Sequence, residues 1–113
     1  MKKLMLVLGL AVLAAPVAAQ TLADGSGTIA QAGVAQQVFG YQPTRRYLVC
    51  QNPIAATEPL MVNVGSAAGA ANGSIELAPG GSWSLGPSTT WAPTEAVSVY
   101  AATAGHRFVC KQG

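Results

Sequence analysis

After residue 19, Gly and Pro make up 18 of 94 residues and recur throughout, so no stretch keeps a helical period long enough to form a capped helix. The runs between these breakers are short and alternate in polarity, the pattern of half-buried strands. Val34–Gly40, Arg45–Gln51, Leu60–Val64, Ser74–Leu77, Ser82–Leu85, Val97–Ala102 and His106–Lys111 read as strands, and Thr28–Gln31 reads as an added edge. Ala78-Pro79-Gly80-Gly81 reads as a hairpin-like turn, with Pro79 setting φ and Gly80 free to take positive φ; Thr103-Ala104-Gly105 reads as a second hairpin. The expected fold is all-β: a small antiparallel two-sheet sandwich, jelly-roll-like, of seven or eight strands. Leu, Ile, Val and Phe supply only 18 of the 94 residues, so its core is small.

The first nineteen residues belong to a different population. Lys2 and Lys3 precede an apolar run from Leu4 to Ala15, and Val17-Ala18-Ala19 offers the small residues of a signal-peptidase site. Residues 1–19 are read as a signal peptide, with an uncleaved anchor as the alternative. Even stretched to Ala19 the run is shorter than the roughly 20 residues of a spanning helix. Gln20–Gly27 is expected to be a flexible N-terminal arm and 28–113 a single domain. The expected location is outside the cytoplasm: periplasmic, extracellular or on a virion surface, with no membrane span once the leader is gone.

Beyond the leader, Arg45, Arg46, Arg107 and Lys111 balance Asp24, Glu58, Glu76 and Glu95, giving a formally neutral chain. Four scattered cations exclude a polybasic nucleic-acid surface. Cys50 and Cys110 each follow a large apolar residue at the second position before, Leu48 and Phe108, which puts both sulfurs on core faces. A disulfide is expected between them, with two buried free thiols as the alternative.

The chemistry-bearing residues are few. His106 stands at a strand start with no acid near it in sequence, the setting of a surface His beside a turn. One His and two Cys do not make a zinc set, so neither a metal nor a cofactor is expected. The acids are dispersed and no nucleophile elbow is present, so no catalytic residue is assigned and the chain is read as no enzyme. Arg45 and Arg46 point to opposite strand faces, one outward and one to the rim against an acid or a carbonyl. Trp83 alternates with Leu85 and is placed in the core. Gly65–Gly73 is read as a flexible loop too small in its side chains to pack a core. The candidate partner surface is aromatic: Trp91 in a loop, with Tyr41 and Tyr100.

Arg45-Arg46-Tyr47-Leu48-Val49-Cys50-Gln51-Asn52-Pro53, Pro59-Leu60-Met61-Val62-Asn63-Val64-Gly65, Leu77-Ala78-Pro79-Gly80-Gly81-Ser82-Trp83 and Val97-Ser98-Val99-Tyr100-Ala101 together resemble small β-sandwich accessory proteins of tailed-phage and prophage virion modules. The resemblance covers about two thirds of the chain beyond the leader and implies a structural or virion-surface role. The leader and the Cys pair depart from that pattern and fit an exported relative. The leading expectation is therefore a non-enzymatic structural or attachment protein that self-associates or binds a protein partner. The alternative is a secreted module that uses its loop aromatics to bind a cell-surface glycan.

Overall fold

The computed structural model describes residues 22–71, 73–86 and 92–113, so the expected signal peptide (1–19) and Trp91 lie outside the described residues. Among the described residues nine strands follow one another: β1 (Ala23–Asp24), β2 (Gly27–Thr28), β3 (Gln36–Phe39), β4 (Leu48–Gln51), β5 (Leu60–Val64), β6 (Ile75–Leu77), β7 (Ser82–Leu85), β8 (Val97–Tyr100) and β9 (Arg107–Gln112). They form two antiparallel sheets. In the first, β9 is flanked by β1 and β2 on one side and β4 on the other, with β7 beyond β4; in the second the order is β3-β8-β5-β6. The all-β sandwich expected from the alternation is the observed architecture. No helix among the described residues is long and apolar enough to cross a membrane.

The alternation places the core as its period demands. Leu48 and Cys50 of β4, and Phe108 and Cys110 of β9, face Leu60 and Val62 of β5, Val97 and Val99 of β8, Leu77 of β6 and Phe39 of β3. Burial of one such Leu, Val or Phe stabilises the fold by about 1.5–3 kcal/mol. In β3 the register shifts between Gln37 and Phe39, and this irregularity lets Val38 as well as Phe39 pack on the core. Trp83 is only half-buried, because β7 is an edge strand, although it does pack against the core cluster.

Strand β1 lies where the sequence reads as a loose arm, and β2 falls where that arm meets the edge expected at Thr28–Gln31. Ala23 and Asp24 pair with Gln112 and Lys111, and Gly27 and Thr28 pair with Phe108 and Arg107, all in one register. Between them Gly25 N–H still donates to the Cys110 carbonyl, while Cys110 N–H turns to Ser26 Oγ at 3.1 Å. A serine hydroxyl thus stands in for a ladder carbonyl. Every residue of β1 and β2 is exposed, so ladder bonds hold these strands rather than apolar burial, and no hydrophobic period marks them. A methyl at Gly25 would lie 2.7 Å from Val38 Cγ1 and from the Phe39 ring, so only glycine lets this strand pass so close to β3.

Both expected hairpins are corners between sheets. Gly81 N–H donates to the Ala78 carbonyl at 2.7 Å and Gly80 has φ +81°, the type II turn that Pro79 and Gly80 favour. Yet β6 pairs with β5 in one sheet and β7 with β4 in the other. The Thr103–Gly105 turn likewise joins β8 to β9 across the sandwich. Turn chemistry fixes a chain reversal; the choice of neighbour follows from burial, which sets Leu77 beside Leu60 and Trp83 beside Cys50.

Residues 65–71 also depart from expectation. Ala68 is buried and its N–H donates to Ser98 Oγ at 2.8 Å, while that hydroxyl donates to the Ser66 carbonyl at 3.0 Å. Small side chains let this loop lie flat on the outer face of β8. We predict that Gly25→Ala destabilises the domain by about 1–3 kcal/mol, the range for overpacking, and lowers the thermal midpoint by several degrees. At Gly27 the nearest atom to a new methyl is 3.5 Å away, and Gly27→Ala should leave the melting curve nearly unchanged.

Candidate functional site

Strand β4 carries a buried polar residue just beyond each end, and these two residues organise the ends of the sandwich. Arg45, 4% exposed, lies three residues before β4. Its Nε donates to Gln112 Oε1 at 2.7 Å, Nη1 donates to the carbonyls of Pro93 and Glu95 at 2.8 Å each, and Nη2 donates to the Gly40 carbonyl at 3.1 Å. One guanidinium thus ties together the ends of β3 and β9 and the approach to β8. Burial pulls its pKa below the ordinary value, and the nearby Glu95 charge opposes that pull. Arg46 is exposed, so the pair divides between rim and solvent as alternation requires.

At the opposite end Asn52 is fully buried and uses all its polar groups. Nδ2 donates to the Glu58 and Leu77 carbonyls at 2.9 and 3.0 Å, the backbone N–H donates to Gly81, and the backbone carbonyl accepts from Gly80. With both amide hydrogens on carbonyls, Oδ1 must be the acceptor that faces His106 Nε2 at 2.8 Å. His106 is therefore protonated at Nε2 and donates to Asn52. Its Nδ1 lies 3.7 Å from Glu58 Oε2.

This corrects the reading of His106 as a surface residue beside a turn: its side chain is 5% exposed and sits between Asn52 and Glu58. The corner after β8 brings it to residues 54 and 48 positions earlier in the chain, a meeting that local sequence does not signal. Glu58 Oε2 accepts from the Ala102 and Thr103 N–H groups at 2.9 and 3.1 Å, and Oε1 accepts from Thr103 Oγ1 at 2.6 Å. The Thr103 hydroxyl above all, with the Ala102 N–H, the His106 ring and the Thr103 N–H, holds the Glu58 carboxyl below its ordinary range against the opposing pull of desolvation. A surface depression of about 270 Å³ opens beside this cluster, between the 53–58 loop and the 103–107 corner.

Chemically the cluster is occupied with holding the fold. Both ring nitrogens of His106 face protein groups, which leaves neither aimed at a substrate, and both Glu58 oxygens already accept hydrogen bonds. Among the described residues no buried side-chain nitrogen or oxygen lacks a hydrogen-bond partner, and no three His, Cys, Asp or Glu cluster as a metal set would. Glu76, on β6, and Glu95, before β8, are exposed and in separate parts of the fold.

The two candidate tyrosines do not converge. Tyr41, 70% exposed, follows the end of β3, whereas Tyr100 ends β8. These strands are antiparallel with Phe39 opposite Val97, so the two tyrosines lie at opposite ends of the pair. Trp91 lies outside the described residues.

The cysteines do meet. Cys50 and Cys110 are directly opposite on β4 and β9, fully buried, with Sγ atoms 2.6 Å apart. Cys110 directs its N–H and C=O toward Ser26 and Gly25, away from β4, which makes the cysteines a non-hydrogen-bonded pair, the type whose side chains approach most closely. As a thiol, Cys110 is pushed far up in pKa by the Cys50 sulfur and by burial, the opposite of an activated nucleophile.

Comparison of the chain with protein-family models, with curated proteins and with solved structures gives no match in any of the three.

Two outcomes check this arrangement. Asn52→Asp keeps the shape but removes both amide donors and sets a carboxylate against the Leu77 and Glu58 carbonyls, so chemical denaturation should show a loss of at least about 1–3 kcal/mol. Because its folded-state pKa is depressed, Glu58 contributes stability above its ordinary value of 4.5 that disappears as pH falls through the lower folded value. Glu58→Gln should therefore flatten the acid limb of the stability profile below about pH 4.5 and leave its slope at neutral pH unchanged.

Proposed function

We propose that the protein is exported, has no catalytic activity and works through the surface it presents, as a structural or attachment component of a virion or cell-surface assembly. The observation that carries this reading is the state of its reactive groups. Arg45, Asn52, Glu58 and His106 are all engaged with carbonyls, N–H groups or one another at the ends of the strands. The resemblance of the strand and turn segments to virion accessory proteins supports the same conclusion. So does the low surface charge, because closely packed subunits then desolvate few ions.

In this reading Cys50 and Cys110 form a disulfide, consistent with an oxidising compartment. The bond would close a loop of about 60 residues and stabilise the fold by around 4 kcal/mol on the chain-entropy model. That is a large share of the margin of a domain with so small a core.

Immunogold labelling of the producing culture tests the location. Label on particles or on the cell exterior is expected; label confined to the cytoplasm would contradict the proposal. The sulfur chemistry has its own readout. Denatured, unreduced protein should take up no alkylating reagent, and Cys50→Ala should lower stability by about 2–5 kcal/mol.

A further inference from the structure

Four sheet edges remain in this sandwich, and three carry devices that discourage further pairing. The β1–β2 edge is broken at Gly25-Ser26 into two-residue pieces and carries Asp24. The β3 edge has its register shift, and the Gln36 side chain folds along it to reach Ala30 N–H and the Thr28 carbonyl. The β6 edge is three residues long with exposed Glu76 at its centre. Strand β7 differs: Ser82-Trp83-Ser84-Leu85 has no charge, no proline and no register shift.

The ladder phase shows what β7 offers. Asn52 N–H donates to the Gly81 carbonyl, so in the β4–β7 register the Cys50–Trp83 and Leu48–Leu85 pairs are hydrogen-bonded and the pairs at Ser82 and Ser84 are not. The N–H and C=O of Ser82 and Ser84 therefore point out of the sheet edge, and among the described residues nothing pairs with them there.

We propose that this edge pairs with β7 of a second copy of the same chain, antiparallel about a twofold axis; the inference rests on the structural reading above and names its partner. The argument for a second copy is register and charge. Antiparallel self-pairing that joins the outward groups sets Ser82 opposite Ser84 of the partner and Ser84 opposite Ser82 of the partner. That leaves Trp83 opposite its own symmetry mate as the central non-hydrogen-bonded pair, the position where side chains come closest. The half-buried indole that β7 leaves at the sandwich edge would then be covered by its twin. A twofold brings each charge near its own copy, and the chain carries none from Leu77 to Thr94. The result is one sheet continuous across both molecules.

Sedimentation velocity over a range of concentrations, on the exported chain and its variants, tests the pairing. Ser84→Pro deletes an N–H that the fold leaves outside the ladder, so the domain tolerates it while the new pair loses a bond and meets a proline ring. Ser82→Lys sets two ammonium groups close to the axis. The wild-type chain should show a reversible dimer, weakened at least about tenfold by either variant with no loss of strand content by circular dichroism, and unaffected by Gln37→Lys on the β3 edge. A wild-type chain that is monomeric at its highest soluble concentration, or a dimer that neither β7 variant weakens, overturns the pairing. Surface labelling of particles or cells would be untouched by that result, so failure of the β7 contact and failure of the structural reading are separate outcomes. If Ser84→Pro does not fold, Ser82→Lys decides alone.

Discussion

The pairing of β4 with β9 is the contact on which the rest of the molecule depends. It is the centre of the first sheet, it supplies Leu48, Cys50, Phe108 and Cys110 to the core, and both flanking edges attach to it, β7 on one side and β1–β2 on the other. The two sulfurs meet across its middle. An antiparallel pair between strands so distant in sequence closes a long loop, so its formation carries an entropic penalty that a local hairpin avoids. The disulfide proposed there would act where that penalty is concentrated, by limiting the unfolded chain.

The sandwich has little apolar mass, and its ends are closed by polar contacts. Arg45 and Asn52 bracket β4, each bonding to carbonyls from elements of both sheets or the loops between them. Low dielectric strengthens such bonds when all are made and penalises any left unmade, so each hub is an all-or-none element. This also explains why the cluster of Asn52, His106 and Glu58, which contains the kinds of groups used in catalysis, is read as architecture: the Asn52 amide, both Glu58 oxygens and His106 Nε2 are hydrogen-bonded across two corners and a loop, and His106 Nδ1 faces Glu58.

How much of this is legible in the sequence depends on the range of the interaction. Alternation identifies Leu48, Cys50, Leu60, Val62, Val97, Val99, Phe108 and Cys110 as inward-facing, because side-chain direction in a strand has a period of two and needs no knowledge of neighbours. Local turn chemistry correctly identifies the Pro79-Gly80 reversal but not its destination, since a type II turn is compatible with a hairpin or with a corner between sheets. Residues 23–27 give no signal, because an exposed strand held by its ladder has no apolar face; of β1 and β2 only Thr28 falls in the segment expected to pair at an edge. The loop at 65–71 misleads for a related reason: its packing comes from closeness of backbone, which Ala and Gly permit but do not advertise. His106 is misplaced by sequence reasoning because its partners come from a separate loop and strand end, and only the topology brings them together.

Native-state hydrogen exchange tests the primacy of the β4–β9 pair most directly. The amides of Val49, Gln51, Val109 and Lys111, which the register and ladder phase assign to bonds between these strands, should exchange only through global unfolding, with the highest protection in the molecule and the denaturant dependence of complete unfolding. If they exchange through local opening while amides of the β5–β8 pair stay protected, the second sheet is the stable centre and the primacy of β4–β9 is contradicted.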